Sequence, residues 1–268
     1  MKDGMRLDEL LVERGFFSDL KKAQGYIMEG KVLVYEVRED KPGLIVKKHA
    51  DIRVKGMDCI YVSRGGLKLE AAINNFGVHC ENRCALDAGA CTGGFTDCLI
   101  KHGIGRVYAI EVGFGQLAGS IAQDDRVVNM EKTNIGDVTE DMLNPAPSLG
   151  VIDLSYLSLT KAVGIFKNLL KPDDMGNHPE IIALVKPLFE VKVKVASELN
   201  EALYLEAIQL AVESGRENGI TAVGVMSSPI LGSKGTLEFL VHYKESGLEV
   251  SEDEIVKVVQ EGMRLLES

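Results

Sequence analysis

From residue 84 onward the chain repeats one rhythm: a short apolar run, a glycine or polar break, then a stretch with apolar residues three and four apart. The apolar runs at 84–87, 107–111, 127–130, 151–154, 181–185, 221–226 and 237–242 are short and mostly bounded by turn residues, so they predict seven strands. The stretches 159–170, 198–214 and 250–266 carry helical spacing instead. Strands alternating with helices predict an α/β fold with a mostly parallel sheet covered on both faces. Ligands in such sheets sit outside the carboxyl ends of the strands.

The first 60 residues follow another pattern. Leu7, Leu10 and Leu11, then Leu20, Ala23 and Ile27, recur at helical spacing. Gly15 and Gly30 are expected to stop these two helices, with Ser18 capping the second and Asp19 in its first turn. Short apolar runs follow at 32–35, 44–46 and Ile52–Val54, with Pro42 and Gly43 marking a turn. This predicts a small α+β domain over residues 1–60, a connector at 55–61 and a large domain over 61–268.

Composition narrows the class. At 46% hydrophobic and 26% charged residues, the 268-residue chain can bury a core. No run approaches the roughly 18 apolar residues of a membrane-spanning helix, and the start Met1-Lys2-Asp3-Gly4-Met5-Arg6 lacks an apolar signal core. A cytoplasmic protein is expected. The five cysteines, at 59, 80, 84, 91 and 98, form no Cys-x-x-Cys pair, which favours reduced thiols over a disulfide framework or a metal site. The net charge of −10 is unevenly spread: residues 1–60 carry 12 basic against 11 acidic side chains, the remainder 18 against 29. Such asymmetry points to a division of labour between segments.

The chemistry concentrates at strand ends. The first expected strand runs into Asp87-Ala88-Gly89-Ala90-Cys91-Thr92-Gly93-Gly94-Phe95, where glycines allow close backbone approach to a ligand. The spacing is not Gly-x-Gly-x-x-Gly, and no Gly-Lys-Ser/Thr follows, so dinucleotide and triphosphate loops fit poorly. Glu111 ends the next strand, 22 positions after Gly89, where a carboxylate can accept from both ribose hydroxyls. A glycine loop without phosphate-binding residues plus a ribose-reading acid suits S-adenosylmethionine. Further along, Asp153 and Lys186 each follow an apolar strand, and Pro187 is expected to discourage a helix after Lys186. Glu238 lies among apolar neighbours, where a charge costs stability unless paired.

These segments resemble those of the bacterial TlyA group, often labelled hemolysins, which are FtsJ-like ribosomal RNA 2'-O-methyltransferases. The resemblance is carried in order by Arg6-Leu7-Asp8, Leu11-Val12-Glu13-Arg14-Gly15, Ser63-Arg64-Gly65-Gly66-Leu67-Lys68, the glycine loop, Val112-Gly113-Phe114-Gly115-Gln116-Leu117, Asp153-Leu154-Ser155-Tyr156, Lys186-Pro187-Leu188-Phe189-Glu190 and Ser228-Pro229-Ile230. It implies a Rossmann-like methyltransferase domain preceded by an RNA-binding domain like that of ribosomal protein S-four. It also implies a Lys-Asp-Lys-Glu tetrad falling on Lys68, Asp153, Lys186 and Glu238. Cofactor contacts are expected from Asp87, Gly89, Cys91, Gly93, Gly94, Phe95, Glu111 and Asn134.

The implied reaction is methylation of a ribose, expected to be that of a cytidine, in ribosomal RNA or assembled subunits. A sulfonium donor brings its own electrophile, so no metal is expected. Lys186 is the expected base, with burial and the neighbouring Lys68 lowering its pKa. Arg6, Arg14, Lys21, Lys22 and Lys31 are spaced to share a surface with RNA phosphates.

Several positions depart from the family pattern. Cys91 stands for a common Ser, Glu111 for Asp, Leu188 for Gln, Thr236 for Asn and Gly25 for Arg, while 191–200 lacks a glycine-rich loop. A binding protein that keeps the fold without turnover is therefore the alternative reading. A membrane-lytic role lacks a spanning segment, a signal and a strongly basic amphipathic helix.

Overall fold

Leu, Ile and Val at one helical face and on short strands give the N-terminal segment its own core of Leu7, Leu10, Leu11, Phe17, Ala23, Ile27, Val32 and Val54. The computed structural model describes residues 4–17, 19–35, 37–48, 50, 52–55, 60–232 and 235–267. In this segment β1 (Gly4–Arg6) leads into α1 (Leu7–Glu13) and α2 (Leu20–Met28). The strands β2 (Val32–Val34), β3 (Val37–Glu39), β4 (Ile45–Lys47) and β5 (Ile52–Val54) follow. β1 pairs with β4, and β2 lies between β3 and β5, all antiparallel.

Details here depart from the sequence reading. Ser18 lies outside the described residues, and Asp19 itself caps α2, its carboxylate accepting from the Lys22 amide at 2.9 Å. β1 and β3 were not anticipated: each is three residues long, and β3 is a largely exposed edge with no apolar run. The strand expected at 32–35 ends at Val34, because Tyr35 takes a left-handed φ of 50° at the turn into β3. The connector's 56–59, with Cys59, lie outside the described residues.

The rest of the chain builds the expected sheet. Its elements are α3 (Gly65–Phe76), β6 (Cys84–Ala88), α4 (Gly94–Lys101), β7 (Arg106–Glu111), α5 (Gly119–Ala122), β8 (Val127–Glu131), β9 (Leu149–Ile152) and α6 (Leu159–Leu169). They continue with β10 (Glu180–Val185), α7 (Pro187–Glu190), α8 (Glu201–Glu217), β11 (Thr221–Ser227), β12 (Phe239–Lys244) and α9 (Glu252–Glu267). The seven strands run in the order β11-β12-β10-β9-β6-β7-β8, and β12 alone runs against its neighbours.

Period-2 alternation sorts the core. Ile181, Ala183 and Val185 face one apolar cluster with Phe166 of α6, Ala211 of α8 and Val259 of α9. Ile182 and Leu184 face the other, with Leu69 of α3 and Leu99 of α4. Among the described residues, no helix is long and apolar enough to cross a membrane.

Strand order places the chemistry. β6 lies between β7 and β9, so connections diverge there and the loops after β6 and β9 flank one crevice. The strand expected at 151–154 ends at Ile152, which frees Asp153 for the loop while its amide still donates to the Ala88 carbonyl at 2.9 Å. The strand expected at 237–242 starts at Phe239, so Glu238 precedes it. Because β12 is reversed, that entry point lies at the same sheet edge from which β9 and β10 deliver Asp153 and Lys186.

Candidate active site

The glycine loop is held by its backbone. Gly89 has a φ of +86°, and a Cβ there would strike the Asp153 carbonyl, so the loops after β6 and β9 touch at a point that admits no side chain. Gly93 caps α4 with a φ of +94° against Leu117 and Ile121. Gly94 is packed beneath Ser63 and Gly66, which ties the start of α3 to the start of α4.

These loops open onto a cavity of about 780 Å3. Of the expected cofactor residues, Gly89, Cys91, Gly94, Phe95 and Glu111 line it, whereas Asp87, Gly93 and Asn134 do not. The Glu111 carboxylate accepts from the Cys91 amide at 3.0 Å and the Gly113 amide at 2.7 Å, one oxygen each. Each oxygen keeps further acceptor capacity. Asp87 is buried under the loop: Thr96 donates to its Oδ2 at 2.6 Å, and its Oδ1 has no hydrogen-bond partner. Burial pushes this carboxyl up to about 7, against the pull of the Thr96 hydrogen bond. Asn134 caps a short 3-10 turn, accepting from the Gly136 amide at 2.9 Å.

Lys68, Asp153, Lys186 and Glu238 all line the same cavity. They form two ion pairs, Lys68 with Glu238, and Lys186 Nζ with Asp153 Oδ1 at 2.5 Å. Lys186 Nζ also donates to Ser155 Oγ at 2.8 Å. Burial pushes the Asp153 carboxyl up, but the Lys186 and Lys68 ammonium groups overcome it and hold it below its ordinary value. For Lys186, burial acts downward, yet Asp153 and Glu238 outweigh it and the amine is raised. That reverses the sequence expectation of a lowered lysine: two carboxylates near Lys186 count for more than burial and a second cation. Pro187 is a second correction. It does not block a helix but starts one, α7, where its missing N–H costs nothing.

The N-terminal segment forms part of the cavity wall through Leu10, Glu13, Arg14, Gly15 and Lys48. Arg14 donates to the Ala50 and Lys48 carbonyls, both at 2.5 Å. Arg64 bridges the two parts of the chain, donating to the Gly15 carbonyl and, at 3.0 Å, to that of Leu231. Of the five cations expected to meet RNA, Arg14 alone reaches the cavity. Arg6 is paired with the buried Asp8 at 2.7 Å and Lys31 with Glu29 at 2.6 Å, while Lys21 and Lys22 are exposed at the start of α2. Lys48 and Lys194, which the sequence reading passed over, lie at the cavity as well. The signal for Lys194 was its place in the basic, apolar-alternating run from Val191 to Val195.

A family model for FtsJ-like methyltransferases matches residues 61–245. A candidate rRNA methyltransferase of Bacillus subtilis, YqxC, is 37% identical over 271 residues, covering 97% of this chain and 95% of its own. The 16S/23S rRNA (cytidine-2'-O)-methyltransferase TlyA of Mycobacterium tuberculosis is 34% identical, covering 88% of each chain. A solved structure of a candidate hemolysin from Streptococcus thermophilus is 31% identical with a TM-score of 0.84, covering 100% of this chain and 98% of its own.

Proposed function

The chain belongs to the FtsJ-like methyltransferase family, and on that premise we propose that it methylates a ribose 2'-hydroxyl, that of a cytidine, in ribosomal RNA. The observation that carries this reading is the pair of ion pairs, Lys186 with Asp153 and Lys68 with Glu238, facing one cavity beside the glycine loop. The names of similar proteins point the same way, since TlyA of M. tuberculosis is an rRNA (cytidine-2'-O)-methyltransferase.

S-adenosylmethionine is the cofactor in this reading, and when bound it supplies an electrophilic methyl group on a sulfonium. The residues present fit it. The side-chain-free edge at Gly89 lets a ligand lie against the loop, and the Glu111 oxygens can accept from ribose hydroxyls.

Lys186 is the group that accepts the hydroxyl proton, and Asp153 and Ser155 hold its nitrogen. Glu238 holds Lys68 beside it. The domain over residues 1–60 then serves as an RNA-binding module whose Arg14 and Lys48 stand at the mouth of the reaction cavity. Ribosomal subunits are the partner and the cytoplasm the setting that this substrate implies.

The test is transfer of labelled methyl from S-adenosylmethionine to unmodified ribosomal subunits, with the modified ribose mapped by its resistance to alkaline cleavage. One resistant site at a cytidine is expected. Intact cofactor binding without transfer to any ribosomal RNA would replace this reading with a binding protein that has lost turnover.

The raised Lys186 sets the pH dependence. At neutral pH the amine is mostly protonated, and the neutral base becomes roughly tenfold more abundant with each pH unit below its pKa. Single-turnover methyl transfer should therefore climb as pH rises through neutrality, with no plateau below about pH 8. A rate flat across that range would remove Lys186 from the role of base.

A further inference from the structure

Lys186 is held by two groups of a single loop. Asp153 Oδ1 lies 2.5 Å and Ser155 Oγ 2.8 Å from Nζ, and the two acceptors are two residues apart. This loop has little freedom to move. The Asp153 amide donates to the Ala88 carbonyl at 2.9 Å, and the Asp153 carbonyl rests against the Cα of Gly89. The lysine backbone is fixed as well, because Pro187 confines the preceding residue to extended conformations and Lys186 has φ −107° and ψ 97°. Among the described residues, Lys186 is the only hydrogen-bond partner of the Ser155 hydroxyl.

A lysine ammonium has three N–H directions, and the neutral amine has two N–H and one lone pair. One fixed acceptor leaves the nitrogen free to rotate about its Cε bond. A second fixed group, the Ser155 hydroxyl beside the Asp153 charge, restricts that rotation. Lys186, Asp153 and Ser155 all line the cavity, so a substrate hydroxyl bound there meets the same cluster.

We propose that Ser155 is a positioning residue for methyl transfer: with Asp153 it locks the Lys186 amine so that its lone pair faces the ribose hydroxyl. The role rests on the reading of function above. Ser155 accepts a hydrogen bond from Nζ in both protonation states, so it holds the nitrogen before and after the proton arrives. A carboxylate alone would favour the charged form and supply one direction only. The hydroxyl adds direction without adding charge.

The experiment is single-turnover methyl transfer by the full chain to ribosomal subunits, comparing the wild type with Ser155→Ala and Ser155→Thr. A misdirected reacting group costs up to about a hundredfold in rate, so Ser155→Ala should lower kcat by roughly tenfold to a hundredfold. KM for the subunits, cofactor affinity and melting temperature should stay at wild-type values, because Ser155 is exposed to the cavity rather than packed in the core. Ser155→Thr, which keeps the oxygen, should restore kcat to within about threefold.

Unchanged kcat in Ser155→Ala, a change in KM alone, or a threonine variant as slow as the alanine variant each overturns the proposal. Wild-type protein that transfers no methyl instead overturns the reading of function on which it stands. The two failures are thus separable in one set of assays.

Discussion

Lys186→Ala is expected to reduce methyl transfer by about a hundredfold to ten-thousandfold, the range over which a positioned general base contributes. Binding of S-adenosylmethionine, followed by titration calorimetry, should remain close to wild type, because the residues proposed to meet it, Gly89, Cys91 and Glu111, are held by other groups. Asp153 loses its ion pair in this variant, though Lys68 still lies near enough to favour its charged form. Some loss of melting temperature is therefore anticipated, and activity is to be measured well below it. Full activity in a folded variant would remove Lys186 from the chemistry.

The largest effect on stability is expected at the opposite end of the sheet. Arg83 just before β6, Glu180 at the start of β10 and His242 within β12 form a buried charged cluster. Glu180 pairs with Arg83 and, at 2.7 Å, with His242 Nε2, while Arg83 also donates to Ser148 Oγ at 3.0 Å and to the Ser148 carbonyl at 2.7 Å. Burial alone would raise the Glu180 carboxyl; the hydrogen bonds from His242 and Arg83, with their charges, hold it at about 2.

Removing one member of a buried pair leaves the other uncompensated, at a cost of about 3–5 kcal/mol. Glu180→Gln should fall near the lower end, about 3 kcal/mol, because the amide keeps some hydrogen bonds. For a chain of this size that corresponds to a melting temperature lower by roughly 6–12 °C. Linkage fixes the pH at which the wild type feels the same loss. Glu180 binds its proton more weakly folded than unfolded, so its contribution is complete above the ordinary carboxylate pKa and disappears as pH falls from there toward 2. Denaturant unfolding of the wild type should weaken across that interval, and the Glu180→Gln variant should weaken less. Equal pH slopes in the two proteins would mean that this cluster is not responsible.

Much of this was legible in the sequence because strands buried on both faces read as unbroken apolar runs. The run at 181–185 is such a strand, with alternate residues in two separate clusters. Boundaries were less legible. The apolar run before Asp153 does not reveal that pairing with β6 stops at Ile152, and only that pairing frees the carboxylate. The four tetrad residues were legible as motifs, but their pairing was not. Lys68 and Glu238 are 170 positions apart, and nothing local marks them as partners.

The direction of the Lys186 shift failed for the same reason. It depends on distances to carboxylates that the sequence does not contain. Ser155 was visible inside Asp153-Leu154-Ser155-Tyr156 but had no local signal of its own, since a serine acquires this role only through a lysine on another strand.

The reversed strand β12 has a consequence for synthesis. Chains emerge from the ribosome N-terminus first, and their domains fold as units. A chain that has emerged as far as α7 carries the glycine loop, Lys68, Asp153 and Lys186, but not Glu238. β12 must then slide between β11 and β10, its neighbours on either side, which makes it an internal strand added after both. The last partner of Lys68 thus arrives with the piece that closes the sheet. A chain stopped short of β12 lacks Glu238, one corner of the four-residue cluster, so the cluster is complete only once the sheet is.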